Sequence, residues 1–454
     1  MKNLTEGNIY KNFLLFAIPM ILSSVITQAT STINTIVAGA YLQEEGLAAT
    51  GATSALMNFV NGLFWGYNMG FAVYIAKLFG AGKYSQLKST MYNNILLVSF
   101  AVITISIALI IFRYPIYKLL NVDPKIIKDA DKYFTITTAG RVFPLLNSGY
   151  VCVLTAMGGS AFPFVVSLCF AVLGIGGNIL SITVLDMGVA GIALTSVLSS
   201  ALATLVYHIK FSHNLRKLKV HKETVKICLS DMRETFSYSL PVSLQQGLLY
   251  FIGLLISSVI NSLGVAATAG YVIVEKVYNL TASLFTNASK TLSNYAAQAV
   301  GAEKYQEIKK GVRVGALQNL VMTLPMLAVT VIFAEPVCKM FLSKTTGAES
   351  LSYAILFARY YAPFILVYMF CNLIHSFFRG LAAIKSLLVC SIFGSVVRLV
   401  ASVLLAEIMG MEGIFLGWVI SWFADLSLCI MIYLKKYRTP ELLRQNIRAM
   451  ASTK

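Results

Sequence analysis

FGAGKYSQLKST, at residues 79–90, sets glycine, alanine, glycine and lysine in an order that suggests a phosphate-cradling loop. Such a loop reads GxxxxGK[ST] after a strand. Its glycines let backbone N–H groups wrap the phosphates while the lysine reaches the outer ones. Here an apolar helical run precedes Gly80, and Tyr84 rather than serine or threonine follows Lys83. The other chemistry open to the stretch is that of a helix end, with glycine in the left-handed cap and lysines holding the turn at a charged surface.

A second set of reactive groups stands inside apolar runs: Arg141, Glu275, Lys276, Lys290, His375, Arg398 and Asp425. Charge in a membrane is expensive, so such residues mark ion or substrate pathways by default. Asp425 and Glu275 offer carboxylates that can carry a coupling proton, and His375 offers a protonatable switch. Each also has a structural reading. Asp425 could pair with Lys290 or Arg398, Lys276 could neutralise Glu275, and His375 could sit in a buried hydrogen bond. Arg141 and Arg398 read as structural.

The elements that must position these groups are set by composition. Of 454 residues, 57% are apolar and 12% charged, and the mean hydropathy is +0.75. Soluble proteins carry about 25% charged residues, so this chain is read as an integral membrane protein. Twelve apolar runs lie near 12–40, 47–79, 91–113, 132–157, 161–184, 188–211, 234–262, 266–299, 312–334, 349–378, 384–407 and 412–434. They are expected as helices, because open sheet edges leave backbone groups unpaired in lipid. Pro19 and Pro241 predict kinks in the first and seventh.

The net charge of +17 does not point to nucleic acid, because lysine and arginine gather between the runs, most densely at 210–233. The positive-inside rule then places both termini in the cytoplasm of a multi-pass plasma-membrane protein. Seven scattered cysteines show no CxxC or ligand spacing, so neither disulfides nor a metal is expected, and they read as packing residues. MKNLTEGNIYKNFLLF has no cleavage-site pattern and is not read as a signal peptide.

The chain repeats itself. GAGKYSQLK at 80 returns as GAEKYQEIK at 301, GLAATGA at 46 as GVAATAG at 264, Pro19 as Pro241, and GVAG at 188 as GMEG at 410. The offsets of 221, 218, 222 and 222 share one shift, which chance matches would not. An even six spans per copy gives a parallel repeat, with a site expected between the halves near the midplane. The domains follow: an N-lobe at 1–211, a basic cytoplasmic linker at 212–232, a C-lobe at 233–438, and a tail at 439–454 whose Pro440 opens a short surface helix. A duplicated loop at helix ends argues against nucleotide binding.

LTEG at 4–7, FAIPMIL at 16–22, LAATGA at 47–52, AKLFGAGKYSQLK at 76–88, Asn178 with GVAGIALT at 188–195, AAQAVGAEKY at 296–305 and Arg379-Gly380 occur in the order of a known family. The chain resembles the multidrug and toxic compound extrusion (MATE) family, in its DinF-like bacterial branch, over essentially its whole length. The resemblance implies an all-α fold of two six-helix lobes around a V-shaped cavity. It also implies exchange of an organic, often cationic, substrate for protons or sodium ions by alternating access. No enzyme activity and no cofactor beyond H+ or Na+ is implied. The chain departs from the family pattern where that pattern carries charge. Asn34 stands where an aspartate is common, and Ile182 stands four residues after Asn178 where a second aspartate is usual. The sixth-span hydroxyl survives as Thr195 or Ser196, while Gln245 and Gln246 replace a seventh-span acid.

Ion-coupling candidates are therefore Asn34, Asn178, Thr195, Glu275, Asp425 and His375. Substrate contacts are expected from Gln28, Asn34, Asn61, Trp65, Asn68, Asn178, Gln245, Gln246, Tyr250 and Asn279, as amides and flat rings for a small organic molecule. The same amides could instead glue helices together. A flippase for a lipid-linked sugar, or an exporter of a peptide product, is the alternative transport reading; a neutral lining speaks against an anionic lipid head. A membrane enzyme would show clustered His, Asp and Glu, and a receptor would not explain the duplication. The working state is expected to be a monomer.

Overall fold

A computed structural model describes residues 3–41, 49–51, 53–119, 122–220, 228–341 and 347–452; the GLAATGA landmark lies partly outside them. No strand occurs among the described residues, and the fold is all helix. The spans are Ile9–Tyr41, Ser54–Gly80, Tyr84–Ile111, Ile127–Ala139 with Val142–Ala156, Ala161–Thr183, Gly188–Lys217, Leu229–Ser262, Val265–Gly301, Tyr305–Ile332, Ala348–Leu356 with Ile365–Gly380, Ile384–Met409 and Met411–Lys436. A short helix, Pro440–Ser452, follows as expected.

Nine helices among the described residues are long and apolar enough to cross a membrane. The other three spans are the second, fourth and eighth. The second and eighth, related by the repeat, bury nearly all of 66–79 and all of 291–300, with Asn68, Thr291, Ser293, Asn294 and Gln298 inside. Their low hydropathy follows from that place, since a helix shielded from lipid by its neighbours can carry polar groups. The fourth span is not the continuous helix expected over 132–157. It breaks at Gly140 and Arg141, where a Cβ on Gly140 would lie 2.9 Å from Val197 Cβ of the sixth span.

The repeat extends to backbone detail. Gly82 has φ +69°, and Lys83 N–H donates to Leu78 O at 3.0 Å; at the copy Glu303 has φ +56°, and Lys304 N–H donates to Ala299 O at 2.8 Å. Gly188 and Gly410, 222 residues apart, both sit near φ +56–59°. The stretch at 79–90 is thus a helix C-cap followed by the start of the third span.

The chain forms two compact units. One holds Leu22–Ser243; the other holds Asn3–Ile21 with Leu244–Lys454. Each of the first and seventh spans passes from one unit to the other two residues after its proline, Pro19 or Pro241. Polar anchors fix the early parts. In the second unit Leu4 N–H donates to Gln298 Oε1 at 2.9 Å, and Gln318 Nε2 donates to Phe13 O at 3.1 Å. In the first unit Tyr74 donates to Glu234 at 2.8 Å, Gln86 to Asp231 at 3.1 Å, and Lys77 to the Tyr238 hydroxyl at 3.0 Å.

Candidate functional site

In the first unit the first and fifth spans bring two amides together: Asn178 Nδ2 donates to Asn34 Oδ1 at 3.0 Å. Asn178 is buried and its Oδ1 has no partner among the described residues, which leaves one acceptor at the pair. Thr195 of the sixth span packs on Gly177, the residue before Asn178, since its Cγ2 would meet a Cβ placed there at 2.6 Å. Ile182, one turn past Asn178, packs with Val37, Ile192 and Tyr133 in an apolar patch. The pair therefore keeps hydrogen-bonding capacity, and apolar packing takes the place where a second charge would stand.

A cavity of about 290 Å³ lies in the same unit, lined in part by Thr53, Asn61, Tyr133, Thr137, Arg141 and Ser196. Among the described residues, Arg141 is the one charged residue of that lining. It is buried, donates to Asn61 Oδ1 at 2.8 Å, and contacts the Met57 sulfur. Its placement follows from the break in the fourth span, which turns the guanidinium toward the second. Of the other expected substrate contacts in this unit, Gln28 is exposed, Trp65 half-buried and Asn68 buried. Both amide atoms of Asn68 lack partners among the described residues.

In the second unit Asp425 pairs with His375, Nε2 to Oδ1 at 3.2 Å, and both are buried. The expected partners Lys290 and Arg398 are not the ones chosen. Lys290 donates to Asn287 Oδ1 at 3.0 Å, and the Arg398 guanidinium lies 4.2 Å from the Trp418 ring centroid. Tenth and twelfth spans pack directly against each other, which puts His375 within reach of Asp425, whereas a charge drawn onto a tryptophan face is held away. Glu275 is exposed on the eighth span and faces Tyr271 and Arg398. Gln245 donates to Ser391 Oγ and keeps Oε1 without a partner among the described residues. Gln246 is buried, while Tyr250 and Asn279 are exposed.

A family model described as MatE matches residues 19–180 and 241–404, one segment in each copy of the repeat. The chain belongs to the MatE family. The MatE family is one of transporters, not enzymes, so this is a multi-pass membrane transporter. The transporter is 23% identical over 358 residues, 75% of either chain, to the probable multidrug resistance protein YoeA of Bacillus subtilis. It is 22% identical over 420 residues, 91% of its own length and 92% of the relative's, to YpnP of the same organism. Its fold superposes on an Asp-to-Asn mutant of the Vibrio cholerae MATE transporter VcmN with a TM-score of 0.88 at 20% identity, covering 96% and 98% of the two chains. A multidrug resistance MATE transporter solved in an outward-facing conformation gives 0.85 at 19% identity, over 100% and 99%.

Two features of this MatE chain escaped the residue patterns. The cavity around Arg141 depends on a helix break that hydropathy does not register. Cys390 and Cys429 converge on His375 and Asp425 although nothing in their linear spacing announces it; the one local signal is that Asp425 and Cys429 stand four apart on one helix face.

Proposed function

We propose that this transporter is a proton-coupled exporter of small organic, often cationic, molecules, working by alternating access. The family match across both halves carries the reading, and the relatives' names as multidrug resistance and export proteins support the substrate class. A residue that touches cargo must be reachable, so Gln28, Asn61, Tyr250 and Asn279, all exposed, with half-buried Trp65, are the contacts we favour. Buried Asn68, Gln245 and Gln246 suit helix packing better.

The coupling group we favour is Glu275. Asn34 and Asn178 can ligate a cation or hydrogen-bond cargo but cannot carry a proton, and Thr195 adds only a hydroxyl. Glu275 is a carboxylate on an exposed face, and Arg398 beside it repels a metal cation. A proton instead neutralises the acid and frees the guanidinium, a change that can bias a two-state helix arrangement. Asp425 and His375, both buried, receive a different role below. The basic loops support a plasma-membrane setting with both termini cytoplasmic.

Expression in a bacterial strain stripped of its own exporters tests the reading. The wild-type chain should lower accumulation of a fluorescent organic cation and raise resistance to it, and Glu275→Gln should do neither at equal membrane abundance. Unchanged accumulation on wild-type expression would overturn it.

A further inference from the structure

Neither the transport reading nor the family assignment uses four buried side chains of the second unit. His375 of the tenth span, Cys390 of the eleventh, and Asp425 and Cys429 of the twelfth place their donor atoms within 4.8 Å of one another. Asp425 Oδ1 lies 3.2 Å from His375 Nε2 and 3.4 Å from Cys429 Sγ, and Cys390 is within hydrogen-bonding reach of Cys429 and His375. The convergence is built into the packing. Asp425 and Cys429 are one turn apart and point the same way. Gly394, one turn past Cys390, opens the eleventh span for them, since a Cβ there would sit 2.9 Å from Asp425 Cβ.

One imidazole nitrogen, two thiol sulfurs and one carboxylate oxygen make a mixed set. Two sulfurs speak against magnesium or calcium, which take oxygen, and suit a borderline-soft ion held tetrahedrally. With zinc bonds of about 2.0–2.3 Å, tetrahedral donors stand about 3.3–3.8 Å apart. The widest separation of 4.8 Å therefore has to close by about 1 Å, within the reach of side-chain rotation. Charge also fits. Two thiolates and a carboxylate around a dication leave one negative charge. Arg379, buried one turn past His375 on the same helix with its Nε unpartnered among the described residues, carries the opposite sign. A bare His–Asp pair lined by two thiols is the plainer account. It gives no reason for one sulfur to meet the carboxylate while the other meets the imidazole and the first sulfur, because a thiol is a weak donor.

We propose that His375, Cys390, Asp425 and Cys429 form a closed zinc-type site that fastens the tenth, eleventh and twelfth spans to one another. Four protein ligands with no open position make it structural rather than catalytic. Its occupancy is independent of which cargo the transporter carries.

Metal analysis of the full-length transporter, purified in detergent without chelator or affinity metal, tests this. About one zinc per chain is expected, with Co2+ exchange giving the visible d–d bands and thiolate charge-transfer absorption of tetrahedral sulfur ligation. Cys390→Ser with Cys429→Ser should remove both the metal and the absorption. If that pair fails to fold, titrating Zn2+ or Cd2+ into chelator-treated wild-type protein should still raise the melting temperature and shield the two thiols from alkylation. Zinc well below stoichiometry with no response to added metal would overturn the site, as would full retention of zinc in a folded double variant. Copper alone at stoichiometry would overturn the choice of ion.

Discussion

Gly417 sets the twelfth span directly against the backbone of the eleventh, and replacing it with alanine makes a prediction whose size follows from distances. A Cβ at 417 would stand 2.7 Å from Ser402 N and 2.8 Å from Ser402 Cα. Ordinary van der Waals contact begins at 3.4 Å, so the helices must part by 3.4 − 2.7, about 0.7 Å, against backbone that cannot rotate aside. Gly413, four residues earlier, has the same relation to the Leu405 carbonyl and to Ala406 N, at 2.7 Å, which makes a GxxxG face. Overpacking of this kind costs about 1–3 kcal/mol, while alanine returns up to about 1 kcal/mol in helix propensity. A net loss of about 1–2 kcal/mol should lower the melting temperature in detergent by a few degrees. Gly174 is the control, since a Cβ there meets nothing within 4 Å; Gly174→Ala should be neutral or stabilising. Because Trp418 and Arg398 flank the crossing, Gly417→Ala should also weaken transport. If Gly417→Ala melts no lower than Gly174→Ala, the helix-crossing argument is wrong.

Other outcomes follow from the same geometry. Gly82→Ala puts a side chain at φ +69° and should cost about 1 kcal/mol, whereas Glu303→Gly, at φ +56° in the copy, should gain a similar amount by thermal melting. Asn34→Ala leaves the Asn178 amide without its partner and should cost about 1–3 kcal/mol; Asn34→Asp should make transport respond to sodium or pH through the first unit, read as altered ion dependence of uptake. His375→Ala strips a buried pair of one member and should lower stability by about 3–5 kcal/mol, visible as reduced monodisperse yield. His375→Ala with Asp425→Asn should lose less than the sum of the two single changes.

Much of the architecture was legible because hydropathy and duplication act over long stretches. Apart from the break in the fourth, the spans, the turn at Gly82 with its copy at Glu303, and the short helix from Pro440 appear where residue patterns put them. The resemblance singled out Asn34 and Asn178 one by one, and the hydrogen bond between them at 3.0 Å is a contact that only the fold reveals. What sequence could not tell lies in contacts between distant segments. Sequence offered Asp425 two partners, Lys290 or Arg398, and only packing of the tenth span on the twelfth selects His375. The gathering of Cys390 and Cys429 needs three helices at once. The break at Gly140 comes from the crossing with Val197, a contact 57 residues away that no local propensity reports.

The central claim, proton-coupled export through Glu275, is tested most directly in proteoliposomes loaded with the purified transporter and a fluorescent organic cation. An imposed pH gradient should drive the cation against the proton flow in wild type, an imposed sodium gradient should not, and Glu275→Gln should lose the pH response while retaining gradient-free exchange of cargo. A Glu275→Gln protein that still follows the pH gradient, or a wild-type protein that follows only sodium, would contradict the account.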